Sequence, residues 1–190
     1  MKPNLPSRQS LRLKDYDYSL PGLYFITICS DRRIPLFGQI ADDQMSLNGA
    51  GEMIAKRWME LPLRYPKIEL HEFIVMPNHL HGILQINPMV KIVGASLVGA
   101  LGISTENSEP PVSTSAPVVT IGQIVGAFKS LTTNDYVQGV RDNGWPKFNK
   151  KIWQRNFYEH VIRNEKSYLS IAEYIQTNPQ RWLDDIYCVL

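Results

Sequence analysis

His79 and His81 are separated by one apolar residue in the segment MPNHLHGIL, residues 76–84. If this stretch is a β-strand, its two-residue period places both imidazoles on one face, roughly 6–7 Å apart, and turns Leu80 to the other. Two imidazoles so placed can converge on one divalent ion, or they can line a phosphate pocket. Two ligands do not complete a metal site. His71 or His160 could supply a third, giving a triad that leaves one position open. The nearby carboxylates Glu69 and Glu72 offer another route, and none of the four has diagnostic spacing.

The chain has nine tyrosines, so a second question is which of them could act as a nucleophile beside such an ion. On a helix, a tyrosine is best held near a metal by a ligand three or four residues away on the same face. Most tyrosines have apolar partners at that spacing: Val140 after Tyr136, Ile162 after Tyr158, Ala172 after Tyr168. Tyr65 has Glu69, but Pro66 intervenes where the helix has already ended. Tyr174 has Asn178 within EKSYLSIAEYIQTNP, which reads as a terminal helix stopped by Pro179. The amide oxygen of Asn178 is a hard ligand suited to Mg²⁺ or Mn²⁺. His79, His81 and Asn178 then make a two-histidine, one-asparagine site that faces the Tyr174 hydroxyl.

These side chains need a frame. LYFITIC (23–29) is rich in aromatic and β-branched residues and predicts a strand after the Pro21-Gly22 turn. DRRIPLFG reads as a loop. Met53, Ala55, Trp58 and Met59 recur at helical spacing after Asn48 or Gly49, up to Pro62. LHEFIVM (70–76) and HLHGILQI (79–86) read as antiparallel strands joined at Pro77-Asn78. Thr120 caps a helix over 121–136, IWQRNFYEHVIR mixes strand and loop, and the last helix follows. The order predicts an α+β fold, an antiparallel sheet covered on one face by two helices with its other face free. Residues 87–118 show no period and read as an insertion into a single domain spanning 1–190.

Composition bounds the reading. With 190 residues and 44% hydrophobic content the chain can build a full core, and wholesale disorder is excluded. A formal charge of +2 is too small to announce a nucleic-acid partner by bulk electrostatics, so any such partner needs a local basic groove. Cys29 and Cys188 stand far apart and read as thiols. The first residues lack the apolar stretch of a signal peptide, and the most apolar window, 89–103, is too short to span a bilayer. A soluble cytoplasmic protein with no membrane partner is expected.

Four pieces in order, GLYFITICSDRR, FIVMPNHLHGIL, IGQIVGAFKS and IWQRNFYEHVIRNEKSYLSIAEYIQTNPQRW, resemble the REP-associated tyrosine transposases, single-tyrosine (Y1) members of the HUH superfamily. The resemblance implies a ferredoxin-like or RRM-like antiparallel sheet with helices packed on one face. It implies His79 and His81 as metal ligands, Asn178 as the third, Tyr174 as nucleophile and Mg²⁺ or Mn²⁺ as cofactor. The implied reaction cleaves and rejoins single-stranded DNA at hairpin-forming repeats through a 5′-phosphotyrosine, by a monomer or a homodimer. Lys129, Trp153, Gln154 and Arg163 match recurrent family residues. Together with Arg12, Lys14, Arg32, Arg33 and Arg155 they are the expected DNA contacts, and Tyr16, Tyr18, Trp145 and Phe148 could stack exposed bases. A non-catalytic nucleic-acid-binding module is the alternative, although HLHGIL stands where such a sheet would carry its paired aromatics.

Overall fold

A computed structural model describes residues 16–88 and 119–187. Arg12, Lys14, Cys188 and all but the first two residues of the expected insertion lie outside the described residues. The elements run β1 (Gly22–Cys29), β2 (Gly38–Ala41), β3 (Gln44–Leu47), α1 (Gly49–Met59), α2 (Leu61–Arg64), β4 (Ile68–Met76), β5 (His79–Ile86), α3 (Ile121–Asp142), β6 (Tyr158–Ile162) and α4 (Glu165–Thr177). A 3₁₀ turn, Pro179–Asp184, follows α4. Among the described residues, no helix is long and apolar enough to cross a membrane.

The main sheet has the order β4-β5-β1-β6, with antiparallel neighbours throughout. Alternation along β1 and β5 creates its two faces. Tyr24, Ile26, Ile28, Leu80 and Leu84 belong to one core, with Ile54 and Trp58 of α1 and Ile124, Val125 and Phe128 of α3. Gly82 shares this face, and a Cβ there would sit 2.5 Å from Trp58 Cζ2, so only glycine lets the indole lie flat on β5. Leu23, Phe25, Ile83 and Ile162 form a second apolar cluster with Ala172 and Ile175 of α4. The α+β antiparallel fold is therefore the one read from the sequence, with α1 and α3 together on one face. The second face is not bare, because its own apolar residues draw α4 onto it.

Helix boundaries follow from capping. The Asn48 side chain accepts from Gly51 N at 3.0 Å and starts α1. Thr120 and Gln123 form a reciprocal capping box that starts α3. Helix α3 continues past the expected Tyr136 to Asp142. It carries Gly139 at its end, where Trp145 folds back against the helix and leaves no space for a side chain. The hairpin β2–β3 was not expected. Its turn uses Asp42 and Asp43, both left-handed at φ 49° and 58°, in place of the Asn-Gly or Asp-Gly pair that usually marks such turns.

Candidate metal and nucleophile site

Strand β5 delivers both histidines to the α4 face. His79 lies opposite Cys29 and His81 opposite Thr27 in the β1 register. Both rings are fully buried, with centroids 4.4 Å apart. The Asn78 amide fixes the first of them. Its Nδ2 donates to the carbonyls of Arg33 (2.9 Å) and Tyr187 (2.7 Å), so Oδ1 is the atom that faces His79 Nδ1, at 2.8 Å. A carbonyl-type oxygen only accepts, so Nδ1 carries the proton and Nε2 is left with a lone pair. That Nε2 is buried with no hydrogen-bond partner. His81 Nδ1 is 2.8 Å from Thr27 Oγ1, and its Nε2 is 3.2 Å from the Tyr174 hydroxyl.

Burial, helped by the positive charge of Arg33, pushes His79 down to about 3. Burial and then the neighbouring His79 hold His81 well below the ordinary imidazole value. Both rings are therefore neutral at physiological pH, the state in which imidazole binds metal.

Helix α4 and the turn after it supply the rest. Tyr174 and Asn178 sit one turn apart, as their spacing predicts. The turn Pro179–Asp184 then swings Asp185 back beside them. Asn178 Nδ2 donates to Asp185 Oδ2 at 2.7 Å, and the Tyr174 hydroxyl donates to the same oxygen at 3.3 Å. Asp185 Oδ1 accepts from Tyr187 N at 2.7 Å. Arg33 Nη1 donates to Ile186 O, and the Arg33 guanidinium lies over the Tyr187 ring, which pins the segment in place. Burial first, and the Asp185 charge second, raise Tyr174 above the ordinary phenol value.

Ligand atoms of His79, His81 and Asp185 lie within 4.8 Å of one another. The amide oxygen of Asn178 is buried and has no hydrogen-bond partner, like His79 Nε2. Two orphaned lone pairs beside a half-buried carboxylate are costly as they stand, and a cation satisfies all of them. The mixed set of imidazole nitrogens and hard oxygens can hold a divalent metal ion.

Asp185 is the residue the sequence reading missed. It lies beyond Pro179, out of reach of helical spacing, and no local pattern marks it. His71 does not join the cluster: its ring bonds Tyr168 (3.3 Å) and Gln85 (3.0 Å). His160 is exposed on β6, Glu72 accepts from the Tyr168 hydroxyl, and Glu69 accepts from Asn87.

Two expected DNA contacts are corrected. Trp153 is 4% exposed within the α1–α3 core and donates its indole N–H to Thr132 Oγ1 at 2.9 Å, so it presents no face to a base. Lys129 donates to the carbonyls of Gln154 and Asn156, and burial lowers it to about 8; it clamps the segment before β6. Tyr16, Tyr18, Trp145 and Phe148 likewise pack against the core. Arg32, Arg155 and Arg163 are exposed, while Arg33 and Gln154 are half-buried.

No protein-family model matches the chain. Its fold is shared with a solved REP-associated tyrosine transposase bound to a REP hairpin, at a TM-score of 0.51 and 20% identity, over 90% of this chain and 74% of that one. An uncharacterized protein of Haemophilus influenzae (strain ATCC 51907 / DSM 11121 / KW20 / Rd) is 41% identical over 181 residues, covering 94% of this chain and 91% of that protein. With that identity over nearly the whole of both sequences, the chain belongs to the same family as the Haemophilus influenzae protein.

Proposed function

We propose that the protein is a metal-dependent transesterase of single-stranded DNA, transposase-like, with Tyr174 as its nucleophile. The observation that carries this reading is the Tyr174 hydroxyl 3.2 Å from His81 Nε2, at the edge of a buried cluster suited to a cation. His79, His81, Asn178 and Asp185 would hold Mg²⁺ or Mn²⁺. Such an ion, when bound, withdraws charge from a phosphate oxygen and stabilises the charge that builds up in phosphoryl transfer.

The chain's own groups account for the remainder. The Tyr174 oxygen attacks phosphorus, a tyrosyl P–O bond forms, and the P–O bond to the 3′ oxygen breaks. The products are a 5′-phosphotyrosine and a free 3′-hydroxyl. The phenolic proton has an acceptor in place, because Tyr174 already donates to Asp185 Oδ2. In the raised state set by burial and by Asp185, the phenol keeps its proton at neutral pH, and positive charge entering the cluster opposes that shift. The tyrosyl ester conserves the energy of the phosphodiester, so a DNA 3′-hydroxyl can attack it, release Tyr174 and rejoin strands without a nucleotide cofactor.

Hairpin-forming repeats are the proposed substrate, in keeping with the hairpin bound by the transposase that shares the fold. Tyr174, both histidines and Asp185 come from one chain, which supports action as a monomer; action in the cytoplasm is part of the same proposal. The test is incubation with labelled hairpin oligonucleotides and Mn²⁺ or Mg²⁺. A denaturation-resistant protein–DNA adduct is expected, and it should vanish in Tyr174→Phe while DNA binding persists. DNA binding with no adduct under any metal would favour a module that binds without cutting.

A further inference from the structure

Part of the second sheet face is open. Helix α4 lies over β4 and β5. The register of β1 with β6 pairs Phe25 with His160 and Thr27 with Tyr158, so these side chains share the face of the catalytic cluster. Tyr158 is 39% exposed, His160 is exposed and Phe25 is half-buried. An open groove of about 560 Å³ lies here, with Phe25 and His160 on its floor and Lys166, Ser167 and Ser170 of α4 along its wall. A second opening of about 320 Å³ continues past His160 to Arg163. Among the described residues, no carboxylate lines either opening. At its inner end Phe25 stacks on His81, with ring centroids 5.3 Å apart, and meets Tyr174 edge-on at 6.2 Å.

We propose that this groove binds the single-stranded segment adjoining the scissile phosphate, with bases stacked on His160 and Tyr158 and backbone phosphates drawn to Lys166 and Arg163. The chemistry is complementary throughout. Rings set on a sheet offer π-faces to unpaired bases, which have no requirement for a particular sequence, and cations along the wall suit the phosphate chain. Duplex DNA offers no exposed base faces to such a floor. The groove is also continuous with the proposed reaction centre through a single ring, Phe25, so a strand lying in it would lead its phosphate toward Tyr174. The identity of the ligand rests on the function proposed above.

The experiment uses the full-length Tyr174→Phe protein and single-stranded oligonucleotides carrying 5-iodouracil, with ultraviolet crosslinking and peptide mapping. Crosslinks on 158–160 are expected. Anisotropy should show single-stranded DNA bound at least about fivefold more weakly by Tyr158→Ala/His160→Ala; because the Tyr158 ring also meets Tyr187 at 6.1 Å, His160→Ala alone is read beside it and should weaken binding in the same direction. Lys166→Gln should lessen the salt dependence of binding. In the protein that retains Tyr174, the same double variant should raise the DNA concentration for half-maximal adduct by a similar factor. Unchanged affinity together with crosslinks confined to other surfaces would overturn the groove. An adduct that forms with unaltered concentration dependence in the double variant would overturn it while leaving the transesterase standing. Groove crosslinks and weakened binding without any adduct would keep the groove and remove the transesterase.

Discussion

On the α1–α3 face of the sheet, Tyr24, Ile26, Ile28, Leu80 and Leu84 are buried among Ile54, Trp58 and Phe128. On the α4 face, one residue along each strand, Thr27, His79 and His81 are buried to the same degree. The backbone and register are shared, so the difference lies entirely in side-chain chemistry. Burying apolar groups stabilises the first face by about 25 cal/mol per Å². Burying imidazoles and an amide on the second, beside a half-buried carboxylate, is unfavourable unless every lone pair is met. Each face holds a buried polar atom without a hydrogen-bond partner: Trp58 Nε1 on the first, His79 Nε2 and Asn178 Oδ1 on the second. The indole N–H is a donor and cannot take a cation, whereas the other two carry lone pairs. The lesson is that a sheet can fold on one face and keep the other in a costly state that a ligand relieves.

The two faces differ most in what removal of the histidines does. His79→Ala with His81→Ala should abolish both Mn²⁺ binding and DNA cleavage, a loss of at least about 100-fold read by metal titration and adduct yield. The acid stability of the metal-free protein tests the cost of the polar face. Both histidines have folded values below the unfolded 6.5, so their contribution is fully present above pH 6.5 and drains away as pH falls below it, toward about 3 for His79. Urea titrations across that window should show stability falling by about 1.4 kcal/mol per pH unit for each histidine that stays neutral. His79→Gln should flatten the slope, and an unaltered slope would show that the buried ring is not its source.

The apolar face gives smaller effects. Gly82→Ala drives a methyl into the buried Trp58 ring and should cost about 1–3 kcal/mol in chemical denaturation, with metal binding retained. Thr132→Val removes the acceptor for the Trp153 indole and should cost about 1–2 kcal/mol. If either variant abolished metal binding, the two faces would not be separable as described.

What could be read in advance divides along the same lines. His79 with His81, and Tyr174 with Asn178, were legible because each pair lies within one element whose period fixes its facing. Asp185 was not, because its position depends on a 3₁₀ turn and on the distant Arg33, which bonds Ile186 O and lies over the Tyr187 ring. The β-strands and long helices announced themselves by periodicity and caps. The hairpin β2–β3 lacked a glycine turn, and its short, largely exposed strands carry little pattern. Lys129 and Trp153 misled for a shared reason. A basic or aromatic residue states what it can contact, and only packing decides whether that contact is DNA or the rest of the chain.

In the proposed reaction the Tyr174 oxygen becomes bonded to DNA phosphorus. That bond is tested most directly by forming the adduct on a short hairpin oligonucleotide with Mn²⁺, digesting the protein with trypsin and fragmenting the peptide 167–181, which holds both Tyr168 and Tyr174. A nucleotide phosphate on Tyr174 alone is expected. The same mass on Tyr168, or an unmodified peptide from protein that has cleaved its DNA, would contradict the proposed reaction.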